Sequence, residues 1–275
     1  MHILLATGGS LHSTAAVRFG AQIVAPTDPP PTVLSVAPTP LQQPLAEQAV
    51  AQARMILLPQ AGRVHTAIRT GRPASVILQV SQELHTDLLI LGESPQHKLT
   101  TRLLGSVSMQ IAGRAPCSVL IAKGQIAPIE RVLVCTSGAT QPSVLERFIE
   151  RGFAERIGQQ AEVTILHVMS QISAAPAARA GRLLHASAEE LMRAQTPEGD
   201  ILLRNMLIMQ NHARAMTPKV RHGLVVDEIL AEAAAGDYQL VVIGAHRAEG
   251  WERFLLEDLA HEIVARIGRP VLLVR

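Results

Sequence analysis

Aromatic residues are nearly missing from this sequence: Phe, Trp and Tyr make up 2% of 275 residues, with one tryptophan and one tyrosine. So sparse a set leaves few platforms for stacking single-stranded bases. A charge surplus is missing too. The formal net charge is +2 and no basic run occurs, which argues against an electrostatic nucleic-acid binder. Mean hydropathy is positive, yet no uninterrupted apolar run approaches the ~18 residues that span a bilayer. Cysteine is limited to Cys117 and Cys135. Both lie in apolar, strand-like runs, where they read as small core residues of a reducing compartment. Met1–Leu5 enters a strand pattern directly, with no basic leader or cleavage site. The expectation is a soluble, cytoplasmic protein with neither nucleic acid nor membrane as partner. At 17%, charged residues are few for a free surface, which anticipates cover by another domain or subunit.

What is present is a pattern written twice. Short apolar runs occur at His2–Ala6, Thr32–Val36, Val64–Ile68, Asp87–Leu91 and Ser118–Ala122. They return at Arg131–Cys135, Glu162–Val168, Lys219–Arg221, Gln239–Ile243 and Pro270–Val274. Helical spacing separates them, as in Ala74, Ile77, Leu78, Ser81 and Leu84, and in Val226, Ile229, Leu230 and Ala233. Gly71 and Gly223, Gly92 and Gly244, Ile111 and Ile263, and Val119 and Val271 are each 152 residues apart, whereas Thr7 and Thr136 are 129 apart. The second copy therefore carries roughly 23 extra residues, placed between its second and third strands, with a long helical stretch ending near Met216. Gly124 and Pro128 mark the boundary, giving domains 1–126 and 127–275.

Near-continuous apolar strands alternating with helices imply a parallel sheet covered on both faces. The expected fold class is α/β, two doubly wound five-stranded parallel-sheet domains of Rossmann-like type. Ligands of such sheets bind beyond the carboxyl ends of the strands. Here that edge carries Thr7–Ser10, Val36–Pro38 and Gly92–Pro95.

The informative segment is Gly92-Glu-Ser-Pro95, then nine residues, then Gly105-Ser106-Val107-Ser108 opening a helix. Glycines permit close backbone approach, the helix entrance offers unpaired N–H groups and partial positive charge, and Ser106 and Ser108 add hydroxyls. This suits a phosphate chain. The segment resembles the Gly-x2-Gly-x9-Gly-Ser/Thr motif of nucleotide-binding members of the universal stress protein family. Asp87-Leu-Leu-Ile-Leu-Gly92, Ile111-Ala-Gly-Arg-Ala-Pro-Cys-Ser-Val119 and Gly71-Arg-Pro73 extend the resemblance, which covers both halves. It implies an adenine nucleotide, ATP or AMP, with Mg²⁺ accompanying ATP. It also implies that Ala6, Thr7, Val36 and Leu91 flank adenine and ribose, and that the two copies form an internal pseudo-dimer through Ser118–Ala122 and Pro270–Val274. A homodimer and an unidentified protein partner are compatible with it.

Two positions depart from the motif. Pro95 stands at its second glycine and donates no N–H. Gly8 stands where the family usually has an Asp that contacts the nucleoside. The assigned nucleotide residues are Ala6, Thr7, Gly8, Val36, Leu91, Gly92, Pro95, Gly105, Ser106, Val107 and Ser108. In the second copy Arg247, Glu257, Asp258 and Ser137 replace the motif's glycine, Gly-Ser pair and Asp. Two carboxylates at a helix N-terminus cap the helix and repel phosphate. Nucleotide is expected in the first domain only.

Histidines, eleven in number, are scattered without paired ligand spacing, so no metal ligands are assigned. No Walker-type Gly-Lys-Ser/Thr occurs, and no carboxylate pair flanks the loop, so no catalytic residues are assigned either. Leu202, Leu203, Met206, Leu207 and Met209 form either core packing or an exposed face for a partner. The favoured function is a stress-related nucleotide sensor or regulator. The alternatives are a nucleotide-independent interaction module with a vestigial loop, and a slow ATPase.

Overall fold

The computed structural model describes residues 1–93, 107–124, 126–136, 142–169, 186–245 and 252–275, the side chains of 252–258 excepted. They form two compact units, Met1–Pro128 with Gly268–Arg275, and Ile129–Ile267. This grouping differs from the sequential division in two respects: the first unit runs to Pro128, and the segment 268–275 belongs with it.

In the first unit, β1 (Ile3–Ala6), β2 (Thr32–Ala37), β3 (His65–Thr70), β4 (Leu88–Gly92) and β5 (Ser118–Ala122) are parallel. They stand in the order β3-β2-β1-β4-β5, and β10 (Val271–Val274) adds to β5 antiparallel, with Leu272 opposite Leu120. The expectation that 118–122 and 270–274 meet holds in this pairing. β1, β4 and β5 are built from Ile, Leu, Val and Ala that are almost entirely buried, as strands covered on both faces must be. The exposed ends of β3 mark it as an edge strand.

Helix α1 (Leu11–Gly20) packs on α2 (Gln43–Ala61), and α3 (Pro73–Glu83) on α4 (Val107–Arg114). Strand order reverses between β1 and β4, so right-handed crossovers put the two helix pairs on opposite faces. That reversal is the switch point where a doubly wound sheet opens a crevice.

The second unit repeats the plan. β6 (Arg131–Thr136), β7 (Glu162–Met169), β8 (Ala215–His222) and β9 (Leu240–Gly244) are parallel in the order β9-β6-β7-β8. Its helices are α5 (Val144–Glu150), α6 (Phe153–Arg156), α7 (Ala188–Arg193), α8 (Pro197–Met209), α9 (Val225–Ala235) and α10 (Glu252–Arg266). The copies share a turn that only glycine takes easily: Gly71 and Gly223, each leading into a helix, have φ of +141° and +150°.

Most of the added length lies where the offset change places it. Leu34 pairs with Ala67 and Leu166 with Lys219, spans of 33 and 53 residues. Among the described residues, two helices, α7 and α8, stand where the first copy has α2. Capping boxes at Ser143–Glu146 and Ser187–Glu190 start α5 and α7. Gly199 lets the first turn of α8 close against the backbone of Leu191. The helical stretch expected to reach Met216 ends instead at Met209, and Met216 belongs to β8. β8 escapes recognition as a strand start because it is an edge strand. Its residues alternate in exposure, and it tolerates Pro218, which a central strand would not. In α8, Leu202 and Met209 are fully buried, while Leu203 and Leu207 are 41% and 64% exposed. The helix thus has a core-packing face and an exposed leucine face.

Candidate functional site

The crevice of the first unit begins at β1. Ala6 stands opposite Leu34 on one side and Leu91 on the other. The ladder continues one residue further, Thr7 N–H donating to the Leu34 carbonyl at 2.9 Å. Val36 lies beyond that point on β2, half-buried, and Gly92 closes β4. Six of the assigned residues, Ala6, Thr7, Gly8, Val36, Leu91 and Gly92, therefore share one edge of the sheet. Val107 and Ser108 form the first turn of α4, Ser108 buried and Val107 exposed. Pro95, Gly105 and Ser106 lie outside the described residues.

The edge is lined by hydroxyls. Thr7 Oγ1 donates to Ser13 Oγ at 3.2 Å, and Ser13 Oγ donates to the Ser10 carbonyl at 3.0 Å. Ser10 caps α1 by accepting from the Ser13 N–H at 3.2 Å. Neither α1 nor α4 carries an acidic residue in its first turn. The partial positive charge of both helix entrances is therefore left uncompensated by a local carboxylate.

The glycines of the edge serve different ends. A side chain on Gly8 would meet nothing within 4 Å, so this exposed position has free space. Gly92 is the opposite: a Cβ there would lie 2.5 Å from the His12 carbonyl oxygen and 2.9 Å from Ser13 Cα. Its missing side chain admits α1.

One pair at this edge was not foreseen. Register aligns Gly92 with Ala122, so the next residues, Glu93 and Lys123, become cross-strand neighbours. Lys123 Nζ donates to Glu93 Oε2 at 3.0 Å, and both side chains are largely buried. The signal was present in sequence, as two opposite charges each one residue past a parallel strand.

The second unit keeps Thr136 and Gly244 at the ends of β6 and β9 but differs around them. Its α5 carries Glu146 in the first turn, in the capping box. Its β6 end is flanked by His167, opposite Thr136, where the first copy places Ser35 beside Thr7. His167 Nδ1 lies 3.3 Å from the Thr136 carbonyl, and burial holds its pKa below the ordinary 6.5. Most tellingly, α10 begins at Glu252, so Glu257 and Asp258 lie in its second turn rather than at its N-terminus. Their backbone N–H groups bond back into the helix and are not free to hold an anion. That corrects the capping role expected for them. Ser137 and Arg247 lie outside the described residues.

The second unit also holds a buried ion cluster. Glu232, 1% exposed, accepts from Lys219 Nζ at 2.8 Å, Arg221 Nη1 at 3.1 Å and Tyr238 OH at 2.8 Å. Arg221 is also bound by Glu228 at 2.6 Å. Desolvation would raise the Glu232 pKa, but the three donors together hold it below 4.5. At 152 residues' remove the first copy has Val80, Ala67 and Thr86 in place of Glu232, Lys219 and Tyr238. This cluster is internal to its unit and remote in kind from a ligand site. Burial also raises both cysteine thiols, Cys117 to about 11, so neither is a thiolate near neutral pH. Among the described residues no cluster of His, Cys, Asp or Glu is arranged to hold a metal ion, and no helix is long and apolar enough to cross a membrane.

The universal stress protein family model matches residues 1–123 and again 128–275. Universal stress protein Rv2005c of Mycobacterium tuberculosis is 24% identical over 304 aligned positions, covering 99% of this chain and 96% of that protein. Stress response protein NhaX of Bacillus subtilis is 30% identical over 97 residues, 34% of this chain and 58% of that protein's length. The fold is that of a universal stress protein from Archaeoglobus fulgidus, with TM-score 0.69 at 17% identity, covering 100% of this chain and 96% of that one. A universal stress protein structure from Pseudomonas aeruginosa matches with TM-score 0.68 at 15% identity, over 99% and 92% of the two chains. With both halves matched by the same family model and each folded on the same plan, the chain belongs to the universal stress protein family as a tandem, two-domain member.

Proposed function

We propose that the first unit binds one adenine nucleotide, ATP or AMP, at the β1–β4 switch point, and that the chain acts in the cytoplasm as a stress-related sensor. The observation that carries this reading is the edge formed by the open Gly8, the Thr7–Ser10–Ser13 hydroxyls and two helix entrances, those of α1 and α4, with no acidic residue in their first turns. Such an edge attracts an anion by helix partial charge and offers donors to it. Adenine and ribose would lie over Ala6, Thr7, Val36 and Leu91, and the phosphates at the entrance to α4 with Gly105, Ser106 and Ser108. Glu93 is engaged by Lys123, so Mg²⁺ accompanying ATP would take its ligands from phosphate oxygens and water. The second unit binds none, because the positions equivalent to Gly105 and Ser106 lie inside α10.

Calorimetric titration of the intact chain with ATP and AMP tests this. One equivalent per chain is expected, lost in Gly105→Asp, whose new carboxylate would face the phosphates. Two equivalents, or unchanged affinity in a folded Gly105→Asp variant, would overturn the site or its asymmetry. The intact chain is required because 268–275 packs with the first unit.

A second reading, an interaction module independent of nucleotide, is favoured by the outward Leu203 and Leu207 of α8. Failure of ATP and AMP to bind the intact chain would leave that reading standing.

A further inference from the structure

Helix α4 ends on a deficiency that its own sequence creates. Pro116 has no N–H to give the Ala112 carbonyl, and the Ala115 carbonyl lies where the chain has left the helix. Both carbonyls are met by Arg275, the residue after β10. Its Nη2 donates to the Ala112 oxygen and its Nη1 to Ala115 at 2.7 Å and Cys117 at 3.3 Å. Its backbone N–H donates to Ser118 Oγ at 3.2 Å. The guanidinium fork thus does at the end of α4 what no backbone donor there can. A cation at this end also complements the helix dipole.

Arg275 is delivered there reliably. β10 is hydrogen-bonded along β5 through Val271, Leu272 and Leu273. Gly124, at φ +69°, lets the chain pass against the Gly268 carbonyl with no room for a side chain.

We propose that Arg275 is a positioning residue for the nucleotide site: by anchoring the C-terminal end of α4 it sets Val107 and Ser108 at the other end. The inference rests on the nucleotide reading above. The eight described residues of α4 span about 12 Å, so this part of the helix is one short rigid lever with the Arg275 anchor at one end and Val107 and Ser108 at the other. Ile111 and Ala112 are buried beneath its middle and hold it to the unit. They fix the helix laterally, while the fork fixes the exit that Pro116 leaves open. Segment 268–275 belongs by sequence to the second copy, so the second copy would tune a ligand site of the first. Linkage makes the effect mutual: nucleotide at the entrance of α4 should in turn steady the Arg275 contact.

The test uses the intact chain as wild type, Arg275→Met and Arg275→Lys, at a temperature where circular dichroism shows all three folded. ATP affinity is read by calorimetry and α4 mobility by hydrogen exchange across 107–115. Arg275→Met should exchange faster in α4 and bind ATP between about twofold and thirtyfold more weakly. Arg275→Lys, keeping the charge but losing the fork, should fall between the two. Added ATP should slow exchange at 271–275 in wild type and not in Arg275→Met. Equal affinity in wild type and Arg275→Met overturns the positioning role even if α4 exchange rises. So does an Arg275→Lys affinity no tighter than that of Arg275→Met. A wild-type chain that binds no ATP is a different result, and removes the nucleotide reading together with this inference.

Discussion

The carbonyl oxygen of His12 sits 2.5 Å from where a β-carbon on Gly92 would stand. The end of β4 and the first turn of α1 are therefore in backbone contact, and that contact sets the depth at which α1 lies on the sheet. The second copy keeps the glycine but not the contact. A β-carbon on Gly244 would meet a side-chain methyl, Val144 Cγ2, at 2.7 Å.

A backbone obstacle cannot rotate away, whereas a methyl can. Gly92→Ala should therefore destabilise the first unit by about 3 kcal/mol, and Gly244→Ala should cost the second about 1 kcal/mol. Hydrogen exchange at α1 and at α5 separates the two units, which a single melting curve would not. Equal costs would mean that the first copy relaxes at α1 and that the contact is not rigid.

The buried cluster of the second unit predicts both a mutational and a pH effect. Glu232→Ala would strip the acceptor from Lys219, Arg221 and Tyr238. Lys219 is 45% exposed and can turn to water, so the cost should be about 2–3 kcal/mol, at or below the range for a fully buried pair. The triple change Glu232→Val, Lys219→Ala and Tyr238→Phe follows the first copy's Val80 and Ala67 and leaves no orphaned hydroxyl. It should recover most of the loss, since Arg221 retains Glu228. Because the folded-state pKa of Glu232 lies below 4.5, its contribution is present above that value and is lost as pH falls through the folded pKa. Protection of α9 amides, taken relative to their intrinsic exchange rates, should thus fall in wild type below about pH 4.5 and depend less on pH in the triple variant. An α9 that opens equally at pH 7 in wild type and Glu232→Ala would deny the cluster any stabilising role.

The sheet was legible because its central strands are apolar throughout. Leu88–Leu91 and Val119–Ala122 could be buried on both faces and little else. Edge strand β8 was half-legible at best, since Pro218, Lys219 and Arg221 follow the needs of an edge rather than of a core. The sheet end carrying Thr7, Gly8 and Gly92 followed from fold class alone. The reason for Gly92 did not, because a glycine that admits a helix and one that admits a phosphate look the same in sequence. Glu93 and Lys123 were individually visible, and only strand register joins them. Arg275 on the Ala112 carbonyl, 163 residues away, follows from pairing β10 with β5 and from a missing N–H at Pro116, two facts that no local pattern connects.

The Glu93–Lys123 pair bears on whether bound ATP is turned over. Glu93 is the acidic residue that directly follows β4 at the crevice edge, and it would be the natural base to orient a water molecule. Its Oε2 accepts from the Lys123 ammonium at 3.0 Å, and both side chains are largely buried. That oxygen is engaged by Lys123 rather than turned to a water molecule, and Lys123 is likewise occupied when a phosphoryl group would need its charge. Groups that position water and neutralise transferring phosphate supply much of an enzyme's acceleration, and typical enzymes work at about 1–1,000 per second. The chain should therefore bind ATP and release phosphate far below that range. Glu93→Gln should leave the residual rate unchanged while lowering stability by about 1 kcal/mol, as Lys123 loses a partly buried partner. A phosphate-release assay with Mg²⁺, on protein freed of contaminating ATPase, decides it. Turnover near one per second that disappears in a folded Glu93→Gln variant would make Glu93 a base and the protein an enzyme.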